Sequence, residues 1–189
     1  MPALMLPVEY HFTYIETERL KLRLVTPEVY EHLFCHYTAE QWQSFFGFNT
    51  VEDAEKEMAR LSGGIVSYNR TVLLFVIIDK GSDKAIGACG YHNWYQQHKR
   101  AEVGYIMHNL EFRQKGLMKE AFHKIVDYGF NEMGLERIEA FIAKDNEASF
   151  RLLKGLGFQY EGNLRKHYMV KGVLDDSQVF GLLKADFSH

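Results

Sequence analysis

Three apolar β segments follow one another between Thr71 and His108 with only short polar turns between them: TVLLFVII at 71–78, AIGACGYHNW at 85–94 and AEVGYIMH at 101–108. The turn-forming Lys80-Gly81-Ser82-Asp83 and the polar Gln96–Arg100 are too short to hold a crossover helix, so these strands form an antiparallel meander. Any fold open to this chain must be built around that sheet.

The flanking segments add helices. RLKLRLV at 19–25 alternates strictly and puts Leu20, Leu22 and Leu24 on one face of a half-buried strand. Thr26-Pro27-Glu28 reads as N-cap, N1 proline and first-turn acid of a helix through about Thr38. Thr50 with Asp53 opens a second helix over VEDAEKEMARLSGGI, which Gly63-Gly64 stops. After the meander, Leu117, Ala121, Phe122, Ile125, Val126 and Phe130 recur at helical spacing until Gly134. RIEAFIA at 137–143 is a strand, Asn146–Leu156 a short helix stopped by Gly157, and segments 159–170 and 173–184 are the last strands. The order is β-α-α-β-β-β-α-β-α-β-β, an α/β arrangement in which about four helices cover a mixed sheet of about seven strands.

A chain of 189 residues, 47% hydrophobic and 25% charged, suits one domain, 1–189, with residues 1–16 as a short N-terminal extension. The formal net charge of −3 supplies no global field to draw it onto nucleic acid or an anionic membrane, so any anion site must be local. Cys35 and Cys89 are far apart, each in an apolar or aromatic stretch, which predicts buried free thiols in a reducing cytoplasm. Pro2 and Pro7 break the apolar N-terminus, which lacks a basic region and a continuous apolar run, so neither export nor a membrane span is expected.

The stretch EFRQKGLMKEAF, Glu111–Phe122, opens a helix on Arg113, Lys115 and Gly116, where acids usually complement the positive end of the dipole. A helix mouth free of acids, following a strand and a basic glycine-containing turn, is suited to an anion, and polyphosphate fits it better than carboxylate. Neither the G-x-x-x-x-G-K-[ST] nor the G-x-G-x-x-G pattern is present, and a solvated surface turn is the alternative.

Arg113-Gln114-Lys115-Gly116-Leu117-Met118 resembles the pyrophosphate loop R/Q-x-x-G-x-G/A of the GNAT superfamily of acetyl-CoA-dependent N-acetyltransferases. NEASFRLLKGLGF at 146–158, followed by Glu161-Gly162, is similar to the N-x-x-S…G-F-x-x-E-G segment of the ribosomal-protein N-terminal acetyltransferase branch. TERLKLRLVTPE at 17–28 resembles that branch's opening strand and helix start. The resemblance implies a mostly antiparallel sheet whose fourth and fifth strands splay. It also implies direct acetyl transfer from acetyl-CoA to a primary amine, a protein N-terminus or small amine, in a ternary complex without metal, by a monomer or homodimer. Two departures stand out: Met118 occupies a position that is usually Gly or Ala, and Leu153 one where many members carry an acidic Tyr. They motivate the alternative of an acyl-CoA-binding module with little catalysis.

The resemblance also suggests site residues. Glu102 on the strand before the loop is the candidate general base, with an ordinary edge carboxylate paired to Arg100 or Lys99 as its bland alternative, and His92 and His108 as substitutes. Ser149 is the candidate acid at the leaving thiolate, unless it only satisfies helix backbone, and Tyr168 a secondary acid or oxyanion donor. Tyr105, Ile106 and Met107 would offer backbone to pantetheine, Asn146 its side chain unless it is a plain helix cap, Arg113 through Met118 the pyrophosphate cradle, and Arg151 with Lys154 either an adenosine-phosphate contact or an exposed basic helix face. Trp42, Phe45, Phe46, Phe48, Tyr91, Trp94 and Tyr95 read as core or as an acceptor wall. His32 and His36 beside Cys35 lack a third strong ligand, so no metal site is expected.

Overall fold

The computed structural model describes residues 11–62, 71–170 and 172–187. Most of the supposed N-terminal extension and the Gly63-Gly64 helix stop lie outside them. The described elements are β1 (Tyr14–Glu16), β2 (Leu20–Val25), α1 (Pro27–His36), α2 (Ala39–Phe46), α3 (Val51–Ser62), β3 (Thr71–Asp79), β4 (Lys84–Tyr95), β5 (Arg100–Met107), α4 (Leu117–Asn131), β6 (Arg137–Ala143), α5 (Glu147–Gly155), β7 (Gln159–Val170) and β8 (Val173–Leu183). They form one eight-stranded sheet in the order β1-β2-β3-β4-β5-β6-β8-β7. Every neighbouring pair is antiparallel except β5–β6, the pair that α4 connects.

Two elements exceed the expected count. The first helix ends at His36 rather than Thr38, because Thr38 takes an extended conformation and forms a capping box with Gln41 that starts α2. The T-A-E-Q signal was in the sequence, directly at the expected end of the first helix. The extra strand β1 is three residues long and is held by its pairing to β2, so it carries no periodicity of its own.

Strand alternation sorts the core into two layers. Leu20, Leu22, Phe75, Ile77, Cys89, Tyr91, Ala101 and Val103 face the buried side of α4, formed by Leu117, Ala121, Phe122, Ile125, Val126 and Phe130. Val25, Val76 and Ile78 face the opposite layer of Tyr30, Leu33, Trp42, Phe45 and Phe46 from α1 and α2. Burying a large apolar side chain contributes about 1.5–3 kcal/mol, so the α4 face alone is a major stabilising unit. Leu153 is fully buried in the α4 layer, which removes that position from any reaction site. Cys89 is buried as expected, but Cys35 is exposed, since it lies off the apolar stripe of Val29, Tyr30 and Leu33 on α1.

Candidate active site

The site begins where the parallel pair parts. β5 and β6 are joined only from Arg100↔Arg137 to Glu102↔Glu139; β5 continues to Met107 and β6 to Ala143 without further pairing. Tyr105, Ile106 and Met107 therefore bond to β4 on one side and leave their other edge open. A cleft of about 590 Å³ enters this V, lined by Tyr105, Ile106, Met107, Phe112, Arg113, Gln114, Gly116, Leu117, Met118, Lys119, Asn146, Ala148, Ser149 and Leu152. That volume is within the usual range of small-molecule pockets.

At one end the cleft is backbone. Gln114 and Gly116 adopt left-handed φ values of 59° and 75°, curling the turn, and Gly116 is the N-cap of α4 without any side-chain cap. The first-turn N–H groups of α4 are thus left to a ligand. Arg113 folds back so that its guanidinium donates to the Met107 carbonyl at 3.0 Å. The helix mouth is not free of acids, however: Glu120 lies in the first turn. Its charge is turned away and neutralised, since its carboxylate accepts from the Thr17 hydroxyl at 2.6 Å and from the Arg19 backbone and guanidinium at 2.8 and 2.7 Å. Arg19 also donates to the Lys115 carbonyl at 3.0 Å, tying β2 to the loop. Met118 packs against the α4 core while lining the cleft.

Deeper in, Asn146 caps α5 by accepting from the Ser149 N–H at 3.1 Å, and Ser149 is buried at 8% exposure. The Tyr105 hydroxyl is buried with no well-formed hydrogen bond among the described residues, and its ring rests on Phe122 at 4.8 Å. Burial pushes the Tyr105 phenol up to about 12, a rise that the nearby Ser149 hydroxyl partly offsets.

On the other face of β5 a polar cluster closes around Glu102, which is only 6% exposed. His92, directly opposite on β4, brings Nε2 to 2.8 Å from Oε1; Asn93 donates to Oε2 at 2.7 Å; and the Tyr168 hydroxyl donates to Oε1 at 3.2 Å. Adjacent strand residues normally point to opposite faces, yet His92 and Asn93 reach one carboxylate. The register breaks between His92 and Tyr95, and Asn93 sits at φ 49°, so a bulge turns its side chain inward. A second irregularity, between Leu164 and Tyr168, lies in β7. Burial pushes the Glu102 carboxyl up, but the bonds from His92, Asn93 and Tyr168 and the His92 charge outweigh it and hold the group below its usual value. Arg100 is not its partner: it bonds Glu139 at 2.7 Å and lies over the Tyr95 ring.

Residues 19–159 match the acetyltransferase (GNAT) domain family. The chain is 33% identical over 174 residues to the uncharacterized N-acetyltransferase YoaA of Bacillus subtilis (strain 168), covering 92% of this chain and 98% of that one. It is 36% identical over 176 residues to the uncharacterized N-acetyltransferase p20 of Bacillus licheniformis, covering 91% and 97%. This chain is a GNAT acetyltransferase. The fold of the acetyltransferase is shared with a crystal structure of ribosomal-protein-S5-alanine acetyltransferase from Vibrio fischeri, at a TM-score of 0.65 and 23% identity over 94% of this chain and 100% of that one.

Other expected site residues of the acetyltransferase fall elsewhere. Arg151 is exposed, lies 3.7 Å from Glu147 one turn back, and does not line the cleft. His108 packs on Phe48 beyond the end of β5, six residues and roughly 20 Å along the chain from Glu102. Tyr168 joins Glu102 rather than lining the Ser149 cleft. Trp42, Phe45, Phe46 and Tyr91 are core side chains, with the Trp42 indole donating to the Leu33 carbonyl and the Tyr91 hydroxyl to that of Ile125. His32 and His36 stack on one another, and among the described residues no group of three or more His, Cys, Asp or Glu has metal-holding geometry. No described helix is long and apolar enough to cross a membrane. Sequence reasoning missed the cleft-lining Phe112, Lys119, Ala148 and Leu152, and in the polar cluster Asn93; an Asn within an apolar strand signals only tolerance of left-handed φ.

Proposed function

We propose that the acetyltransferase moves the acetyl group of acetyl-CoA to a primary amine, a peptide N-terminus or a small amine, by direct attack in a ternary complex. The observation that carries this reading is the V between β5 and β6, because it joins a backbone anion cradle at Arg113–Met118 to a carboxylate–imidazole–phenol cluster across a single strand. Pyrophosphate oxygens would take the free N–H groups of α4, with Arg113, Gln114, Lys115, Gly116, Leu117 and Met118 forming the loop. Pantetheine would run along the open edge of Tyr105, Ile106 and Met107, past Asn146, with its sulfur beside Ser149. Arg151 is left as an outlying adenosine-phosphate contact.

Three chemical demands fit these residues. The acceptor must lose a proton before it attacks, which the Glu102, His92 and Tyr168 cluster serves. An α-amino group, with a pKa of about 8, asks less of that base than a lysine at about 10.4. The leaving thiolate needs a proton or hydrogen bond, which Ser149 supplies with the Tyr105 phenol behind it. Two free cysteines fit a reducing compartment, and we place the reaction in the cytoplasm.

The test is release of CoA thiol from acetyl-CoA with a panel of peptides and small amines, beside calorimetry of CoA binding. Turnover that depends on Glu102 and Ser149 is expected. Tight CoA binding with no turnover on any acceptor would instead mark an acyl-CoA-binding module.

A further inference from the structure

The cluster around Glu102 contains two groups able to accept a proton, and their surroundings differ. Both Glu102 oxygens already accept hydrogen bonds, from His92 and Tyr168 on Oε1 and Asn93 on Oε2, which stabilises the anion and makes it a weak base. His92 has its side chain 41% exposed against 8% for that of Glu102, so it is the member that an incoming amine can touch. Its Nε2 faces a carboxylate that can only accept, so the neutral ring carries its proton on Nε2 and its lone pair on Nδ1. The ring lies over Gly104 of β5, where an added Cβ would stand 2.9 Å from Cε1 and 3.3 Å from Nδ1. Gly104 is on the same face of β5 as Glu102 and two residues further along, just past the last β5–β6 pair. The Nδ1–Cε1 edge of the imidazole is therefore held over Gly104, at the point where the two strands part.

We propose that Nδ1 of His92 is the atom that takes the acceptor's proton, and that Glu102 is a positioning residue that fixes the tautomer and orientation of the ring. The assignment rests on the acetyl-transfer reading above. The N–H bond of R–NH₃⁺ breaks as an N–H bond forms at Nδ1, and the Glu102 carboxylate compensates the resulting imidazolium. The freed lone pair attacks the thioester carbonyl carbon, forming C–N while the carbonyl π electrons move to oxygen. Collapse of that oxyanion breaks C–S and leaves the electron pair on sulfur; the second N–H proton ends on sulfur as the thiol. The exposed imidazolium returns its proton to water, so R–NH₃⁺ and acetyl-CoA give R–NHCOCH₃, CoA thiol and H⁺. The groups facing His92 are Glu102 from β5, Tyr168 from β7 with His167 edge-on to it at 4.5 Å, and Asn93 on its own strand. The nearest arginine on β5, Arg100, is committed to Glu139.

The experiment measures kcat/KM against pH, by thiol release from acetyl-CoA, for the full chain and for His92→Gln, Glu102→Gln and Gly104→Ala. His92→Gln is expected to lose about 100-fold and the acid limb of the profile with it. Glu102→Gln is expected to lose about tenfold and keep that limb, because the ring remains but is no longer held in one tautomer. Gly104→Ala keeps both residues but displaces the ring, and should lower turnover as His92→Gln does while CoA affinity by calorimetry stays within about threefold. Ring ¹⁵N resonances give a readout apart from activity: His92 should be the Nε2–H tautomer at high pH in the wild type and a tautomer mixture in Glu102→Gln. A His92→Gln enzyme within about threefold of wild type, with Glu102→Gln inactive, would overturn the assignment in favour of Glu102. A folded wild type that binds CoA but turns over no amine would overturn the acetyl-transfer reading itself, and that result is distinct because it appears before any variant is made.

Discussion

The two ends of the proposed site, on opposite faces of β5, are built in different ways. The proposed anion end, in the cleft, is made of backbone: a turn with left-handed Gln114 and Gly116, an uncapped helix start, and cations at its rim. The proposed amine end is made of side chains from β4, β5 and β7 that satisfy one another around a buried carboxylate. Backbone donors preorganised by a helix suit a ligand group that never changes, whereas side chains with tunable proton affinity suit the position where bonds change. Between them, Tyr105 and Glu102 show how one strand serves both, since alternate residues of β5 face opposite sides of the sheet.

Variants at the two ends should separate binding from turnover. The largest effect expected on turnover outside the Glu102 cluster is from Ser149→Ala, with kcat falling about 100-fold in thiol-release assays while CoA affinity by calorimetry changes less than about threefold. A matched loss of affinity would make Ser149 part of the binding end instead. Gly116→Ala acts on the other end: a side chain at φ 75° costs about 1–2 kcal/mol, readable as a lowered denaturation midpoint together with about tenfold weaker CoA binding. Unchanged CoA affinity in that variant would argue against the loop as the anion cradle.

Arg19→Ala should weaken CoA binding by about three- to fivefold, because it leaves the Glu120 charge unscreened at the helix mouth. Adding Glu120→Gln to Arg19→Ala should restore most of the affinity, a cycle that isolates the charge from any packing change. The amine end predicts a pH effect on stability. Glu102 is held below its ordinary value in the folded state, so its contribution is complete above the unfolded pKa and is lost as pH falls through the folded one. Acid unfolding curves of Glu102→Gln should therefore converge with wild type at low pH, separate as pH rises towards about 4.5, and keep a constant gap above it. The smallest effect expected on binding is from Met118→Ala. The side chain packs against the α4 core as well as lining the cleft, so CoA affinity should stay within about twofold, with about 1–2 kcal/mol lost from stability. A clear gain in affinity would show instead that its bulk narrows the site.

The local half of the molecule was readable in advance. Strand alternation around Leu20, Leu22 and Leu24, the helical spacing from Leu117 to Phe130, the Thr26-Pro27 cap and the Gly116 turn all depend on residues within a few positions of one another. The missed pieces fail the same criterion or hide within it. β1 exists through its pairing with β2, and α2 was masked because its Thr38 capping box stands immediately after another helix. Glu120 looked absent from the helix mouth until Thr17 and Arg19, about a hundred residues away, were seen to hold it.

The residues of the amine end were legible only as a list. Glu102, His92 and Tyr168 were each candidates, with nothing in the chain to say that they touch or that Asn93 belongs with them. Short-range periodicity, caps and turn chemistry were sufficient for most of the elements and for the turn at Gly116, because those are local free-energy choices repeated along the chain. The tertiary structure alone decided which face each strand presents at the V, which carboxylates pair with arginines and which one is buried among His92, Asn93 and Tyr168. Those outcomes depend on strand register, on two irregular strand stretches and on burial, and contacts between residues tens of positions apart leave no periodic trace in the sequence.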